Sequence, residues 1–190
     1  MGFRVVVVGI PGVGKSTVVD RFIAGYQGAK LVTFGTVMFE EAKAKKWVRD
    51  RDQMRKLPVG KQKKLQKAAA TAISKMKEKV VVVDTHLFIR TNEGFWPGLP
   101  FEVVRAMQPT HLVLVEATPA DVARRRSADT SRRRDAVTSE GLAQELQLAR
   151  GFLTVASALT GAPMLMVTNA EGKVDEAASA MSSMLRSASS

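Results

Sequence analysis

The sequence predicts an α/β fold in three layers, a five-stranded parallel sheet with helices on both faces. Three observations carry that prediction. Five short runs rich in β-branched residues, at 5–8, 31–34, 80–83, 112–115 and 165–167, are apolar throughout rather than alternating. Continuous apolar strands are the pattern of a parallel sheet buried on both sides. Amphipathic helical stripes separate the runs, so each crossover returns to the next parallel strand with the usual right hand. Finally, the first run leads directly into a glycine-rich segment, Gly9-Ile10-Pro11-Gly12-Val13-Gly14-Lys15-Ser16-Thr17, and then into a helical stripe.

The stripes can be read in order. Val18, Val19, Phe22 and Ile23 mark a first helix that ends near Gly25. Leu65, Ala69, Ala72 and Met76 mark a second. Thr118-Pro119-Ala120-Asp121 reads as a helix start, with a Thr cap, Pro at the first position and an acid in the first turn. Leu142, Leu146, Ala149, Leu153 and Ala156 mark a long helix that stops near Gly161, and Val174, Ala178, Met181 and Leu185 mark the last. No repeat, linker or low-complexity segment interrupts the 190 residues, so a single domain spanning 1–190 is expected.

Bulk composition excludes several classes. Hydrophobic content of 45% and charged content of 25% are those of a soluble globular protein. No apolar run approaches the roughly 18 residues of a membrane span, and the N-terminus runs straight into the first strand without a cleavage site, which predicts no signal peptide. The absence of cysteine rules out disulfides, cysteine-ligated zinc and thiol catalysis, and accords with a reducing cytoplasm. The net charge of +11 leaves two readings open: a nucleic-acid footprint, or cationic residues massed around polyphosphate ligands.

The segment from Gly9 to Thr17 has the form G-x-x-x-x-G-K-[ST], the phosphate-binding P-loop, in its expected strand-to-helix context. Its glycines let the backbone turn its N–H groups toward phosphate oxygens, and the following helix directs its positive end at the same anion. Lys15 supplies a charge for the β- and γ-phosphates, and Ser16 offers a hydroxyl to Mg²⁺. Asp84, closing the apolar run 80–83, is the acid expected to hold Mg²⁺ through water, and His86 follows with its role open.

Six arginines fall within residues 123–135: Arg124, Arg125, Arg126, Arg132, Arg133 and Arg134. Arginine clamps phosphate in a planar fork, and phosphoryl transfer depends on positioning and charge stabilisation. Residues 127–138, with their small side chains, therefore read as a short mobile lid. A second polar cluster at 49–55, Arg-Asp-Arg-Asp-Gln-Met-Arg, lies where the crossover between strands two and three would insert a substrate arm. The lysines between 61 and 79 read instead as the solvated side of an amphipathic helix.

With these clusters in order, the chain resembles the archaeal-type adenylate kinases over almost its whole length. The resemblance rests on the P-loop, on Phe34-Gly35-Thr36-Val37-Met38, on Asp50-Arg51-Asp52-Gln53-Met54-Arg55-Lys56-Leu57, on Val83-Asp84-Thr85-His86, on Gly94-Phe95-Trp96-Pro97-Gly98-Leu99-Pro100, and on the arginine-rich lid. It implies the reaction ATP + AMP ⇌ 2 ADP with Mg²⁺, in the cytoplasm, by a homotrimer. It implies that Gly9 to Thr17 bind ATP, and that an arm over about 36–78 binds AMP through Gly35, Thr36 and Arg55. The loop 85–100, with His86 and Gly98, would close over AMP, and the loop 169–172 would border the adenine of ATP. Lys15, Arg125, Arg132 and Arg134 would carry catalysis, with Mg²⁺ at Ser16 and Asp84. Arg124, Arg126 and Arg133 exceed the family pattern and leave the catalytic arginines open by one position.

A GTPase is disfavoured, because the sequence has neither an Asn-Lys-x-Asp signature nor an Asp-x-x-Gly after the Asp84 strand. Another nucleoside monophosphate or small-molecule kinase of this fold, and a basic RNA-associated ATPase, remain as alternatives.

Overall fold

The structure is a computed structural model that describes residues 2–91, 93–129 and 138–188. Five parallel strands form one sheet: β1 (Phe3–Val8), β2 (Ala29–Thr33), β3 (Val80–Asp84), β6 (His111–Glu116) and β7 (Met164–Thr168), in the order β2-β3-β1-β6-β7. A separate antiparallel hairpin joins β4 (Phe88–Thr91) to β5 (Gly94–Pro97). The helices are α1 (Lys15–Gly25), α2 (Phe34–Ala44), α3 (Arg51–Arg55), α4 (Val59–Ser74), α5 (Phe101–Met107), α6 (Pro119–Ala128), α7 (Ser139–Thr160) and α8 (Val174–Ser187).

The centre of the sheet explains the apolar runs. Val5, Val6, Val7 and Val8 of β1 are at most 1% exposed, as are Val80 to Val83 of β3. Strands covered on both faces have no side left for a polar residue, so alternation disappears. The helices pack in two groups, α1 against α8, and α2, α4, α5 and α7 in succession with α6 against α7. Phe22 of α1 and Met181 and Leu185 of α8 are fully buried on one side, as are Met107 of α5 and Leu142 and Leu153 of α7. A small second core, Ala42, Val48 and Leu65 with Met38, Trp47 and Met54 around it, holds α2, α3 and α4 together.

Local chemistry sets the helix ends. Thr118 Oγ1 accepts from the backbone N–H of Asp121 at 3.1 Å, and Thr138 Oγ1 caps α7 through Gly141 N–H at 3.1 Å. Gly161 ends α7 in the left-handed conformation.

Some boundaries differ from the sequence reading. The second apolar run ends as a strand at Thr33, and Phe34 opens α2 with its ring buried. The hairpin β4–β5 is additional. Its four-residue strands are too short for a periodic signal, and all of β5 is exposed. Ser127 and Ala128, expected in the lid, complete α6. Residues 130–137, with Arg132, Arg133 and Arg134, lie outside the described residues.

His111, at the start of β6, is buried edge-on against the Phe3 ring at 5.5 Å. Burial holds its pKa below the ordinary 6.5, so the unfolded chain takes up the proton first as pH falls through that value. This part of the stability is complete above pH 6.5 and is lost as pH drops toward the folded-state pKa. His111→Phe should therefore show a smaller fall in melting temperature between neutral and mildly acidic buffer than the wild type. Equal falls would show that His111 does not contribute.

Candidate functional site at the carboxyl edge of the sheet

The parallel register brings the functional segments to one edge. Val7 of β1 and Thr33 of β2 both lie level with Asp84, and Val8 pairs with Leu114 of β6. The P-loop, the start of α2 and Asp84 therefore leave the sheet side by side. Ligands of open α/β sheets bind in such a crevice beyond the strand ends.

The loop turns as its sequence requires. Gly12 and Gly14 have φ of 93° and 80°, the left-handed region that side chains disfavour. Gly14 caps α1, whose first residue is Lys15. Ile10 and Val13 are buried against the core, while Pro11, Ser16 and Thr17 are exposed and Gly9 is buried. Lys15 is only 8% exposed and ion-pairs with Asp84. Burial pushes its ammonium down to about 8.

Asp84 fits a magnesium-holding role. Among the described residues no directional hydrogen bond reaches its buried Oδ1, which lies against the Lys15 ammonium. A carboxylate oxygen met only by a side-chain ammonium suits a hard cation or the water bound to it once that ammonium turns away. Ser16 stands at the exposed start of α1, one residue on. Among the described residues no group of three His, Cys, Asp or Glu forms a metal cage.

The three described arginines of the cluster sit on α6, at the base of the expected lid. Arg125 donates from Nη1 to Val13 O at 3.1 Å and from Nη2 to Asn169 O at 3.0 Å. Arg126 donates from Nε to Pro11 O and from Nη2 to Glu145, both at 2.8 Å. Arg124 pairs with Asp121 at 2.7 Å and with Glu171 in the loop after β7. Asn169, in that same loop, is buried and donates from Nδ2 to Val13 O at 2.9 Å. Of the arginines beyond the family pattern, Arg124 is thus taken up by acids and Arg126 by the P-loop and an acid. Glu116, at the end of β6, is held by Arg150 through bonds of 2.6 and 3.1 Å.

The acceptor-side residues are more open. Thr36 follows the β2 edge, and its Oγ1 accepts from Arg51 Nη2 at 2.9 Å. Gly35 has open space where a Cβ would stand. Arg55 is exposed and pairs with Asp52 of its own helix at 3.1 Å, rather than with the cradle. His86 is exposed. Gly98 packs so closely on the His86 carbonyl that a Cβ would collide with it, and its N–H donates to Leu87 O at 2.7 Å.

Lys15, Ser16, Asp84 and Arg125 are therefore gathered around one cradle, with Thr36 on the neighbouring helix. The Arg51–Thr36 bond, the Asn169–Val13 bond within the loop already expected near ATP, and the Arg126–Glu145 pair add to what the sequence indicated. Arg51 lay within the cluster at 49–55, whereas the Asn169 and Glu145 contacts span more than a hundred residues in one case and two helices in the other, with no local signal.

Comparison with known proteins decides the family. The profile of a family described as an AAA domain matches residues 8–143. The adenylate kinase of Thermoplasma acidophilum is 42% identical over 92% of this chain and 94% of its own length. The chain belongs to the adenylate kinase family. The adenylate kinase of Methanocaldococcus jannaschii is 40% identical over 96% of this chain and 97% of its own. Among solved structures, shikimate kinase from Bacteroides thetaiotaomicron covers 97% of this chain and 98% of its own at a TM-score of 0.61 and 12% identity, a likeness of fold alone.

The buried Lys15 gives a pH signature. Phosphate oxygens brought against the ammonium would hold its proton, while the protein alone loses it as pH rises through about 8. ATP binding above that pH should take up protons and weaken as pH rises. Calorimetry in two buffers of different ionisation enthalpy should give different apparent heats, and Lys15→Met should abolish the difference. Identical heats for the wild type would contradict the assignment.

Proposed function

We propose that the chain transfers the γ-phosphoryl group of ATP directly to AMP, forming two ADP. The observation that carries this reading is the register at the sheet edge. Thr33 and Val7 flank Asp84, so the P-loop after β1 and the α2–α4 arm after β2 open onto one crevice. A donor in the first and an acceptor in the second would meet phosphate to phosphate.

In this reading Gly9 to Thr17 wrap the ATP phosphates. Lys15 turns from Asp84 to the β- and γ-phosphates as they enter. The arm over 36–78 binds AMP, with Gly35, Thr36 and Arg55 toward it, and the hairpin loop with His86 and Gly98 closes over it. Arg51, already on Thr36, is placed to join that pocket. Arg125, with Arg132 and Arg134 from the stretch between α6 and α7, stabilises charge on the transferring group. The fork of Arg125 has N–H groups beyond those given to Val13 and Asn169.

The bond from the γ-phosphorus to the β–γ bridging oxygen breaks, and the departing ADP keeps the electron pair. A new bond forms to an oxygen of the AMP phosphate. That oxygen is already anionic at neutral pH, so no side chain must remove a proton. Mg²⁺, when bound with ATP, neutralises phosphate charge and fixes the phosphate geometry, with Ser16 and Asp84 as its holders. Lid closure excludes water, which would otherwise turn the enzyme into an ATPase.

The reading also places the protein in the cytoplasm as a homotrimer. Among the described residues no helix is long and apolar enough to cross a membrane. Exposed Val155 and Leu159 of α7, with Met164 and Met166 of the edge strand β7, offer apolar surface for self-association.

A coupled assay with ATP and AMP should produce ADP, with CMP and UMP as poor acceptors. ATP hydrolysis without ADP formation from AMP, together with salt-sensitive RNA binding, would favour an RNA-associated ATPase instead. Lys15→Ala should nearly abolish turnover in a folded protein, and undiminished turnover would remove the P-loop from the mechanism. Arg55→Ala should raise the KM for AMP about ten- to a hundredfold, the worth of one charge-assisted hydrogen bond, with little change for ATP. Equal changes for both substrates would place Arg55 outside the acceptor pocket.

A further inference from the structure

Two carbonyls of the P-loop are bonded from outside the loop. Val13 O accepts from Arg125 Nη1 at 3.1 Å and from Asn169 Nδ2 at 2.9 Å. Pro11 O accepts from Arg126 Nε at 2.8 Å. Both donor sets belong to elements behind the loop, α6 and the segment after β7. That segment is itself fixed to the sheet, because Asn169 N–H donates to Glu116 O at 2.7 Å.

The peptide plane converts these bonds into an orientation of the cradle. None of the described peptide bonds is cis, and in a trans peptide the C=O of one residue and the N–H of the next point in opposite directions. Holding Pro11 O toward α6 therefore turns the Gly12 N–H away from α6. Holding Val13 O toward Arg125 and Asn169 turns the Gly14 N–H away from them. Gly12 and Gly14 are the residues whose positive φ shapes the loop, and their N–H groups are donors that a phosphate-binding nest needs.

Glu145 makes Arg126 a fixed rather than a mobile donor. The two side chains are 9% and 12% exposed and paired at 2.8 Å. A Cβ on Gly12 would stand 3.0 Å from Arg126 Cγ and 3.1 Å from Val122 Cγ1, so α6 is seated directly against the loop. A buried carboxylate is costly unless it is paired, and Arg126 opposite Glu145 supplies such a partner.

We propose that Arg126, anchored by Glu145, is a positioning residue for the triphosphate: it presets the Gly12 N–H as Arg125 and Asn169 preset the Gly14 N–H. This rests on the reading that the loop binds ATP. The brace acts on the donor nucleotide alone, because the acceptor arm shares none of these bonds.

The test combines kinetics with amide spectra. Arg126→Lys keeps a charge opposite Glu145 but lacks the fork that reaches Glu145 and Pro11 O together. It should raise the KM for ATP about tenfold, the worth of one hydrogen bond to a charged donor, and leave the KM for AMP within about twofold. In ¹H–¹⁵N spectra of the nucleotide-free protein the Gly12 amide should move while the Gly14 amide stays. The double variant Arg126→Met/Glu145→Leu removes the buried charge pair as a unit and should show the same ATP-specific loss, which carries the test if Arg126→Lys folds poorly. Unchanged ATP KM with an unmoved Gly12 amide, or equal losses for both nucleotides, would overturn the proposal. Wild-type protein that binds no ATP would overturn the underlying reading instead.

Discussion

The burial of β1 is the constraint on which the rest of the molecule depends. Four consecutive valines are sealed between β3 and β6 with no more than 1% exposure. A strand so enclosed cannot slip in register without breaking two ladders at once. It delivers the P-loop to a fixed height at the sheet edge, level with Asp84 on one side and with the end of β6 on the other. The accuracy of the cradle is thus inherited from the core. Loops are variable by nature, and functional loops are accurate only where a rigid scaffold holds their ends.

Charge is organised around that edge in two ways. Lys15 and Asp84 face each other, so neither charge at the foot of the cradle lacks a partner. The arginines of α6 do not simply raise the local potential. Arg124 and Arg126 are matched to Glu171 and Glu145, and Arg125 and Arg126 grip backbone carbonyls of the P-loop. Arginine suits this duty because its fork serves two acceptors with one side chain. The lysines of α4 differ in kind. Lys64, Lys67 and Lys75 border an open groove beside Glu41, and Lys67 pairs with Glu102 at 3.5 Å. They cover the polar side of a helix whose other side buries Leu65, Ala69, Ala70 and Ile73.

Much of this was legible in the sequence, for reasons that can be named. The three central strands were visible because burial on both faces leaves a continuous apolar run, whereas the edge strands β2 and β7 are largely exposed and showed only through their apolar, β-prone composition. The P-loop was visible because its glycines, lysine and serine are adjacent in the chain. Asp84 was visible because it directly ends a strand. Phe34 misled because a buried aromatic serves a strand end and a helix start equally well. The hairpin β4–β5 was hidden because its strands are short and exposed. The reach of the lid was overestimated because Ser127 and Ala128 are as compatible with the last turn of α6 as with a loop. Least visible was the support of the cradle. The bond from Asn169 to Val13 spans 156 residues, and the Arg126–Glu145 pair joins two helices, so neither has a local pattern.

The central claim is that donor and acceptor phosphates meet in one crevice and react directly, with no covalent stop on the protein. The stereochemical course of transfer tests it. ATP made chiral at the γ-phosphorus with oxygen isotopes, turned over with AMP, should yield ADP inverted at the transferred phosphorus, the mark of a single in-line displacement. Retention would reveal a phosphorylated side chain between the two nucleotides and would contradict the account.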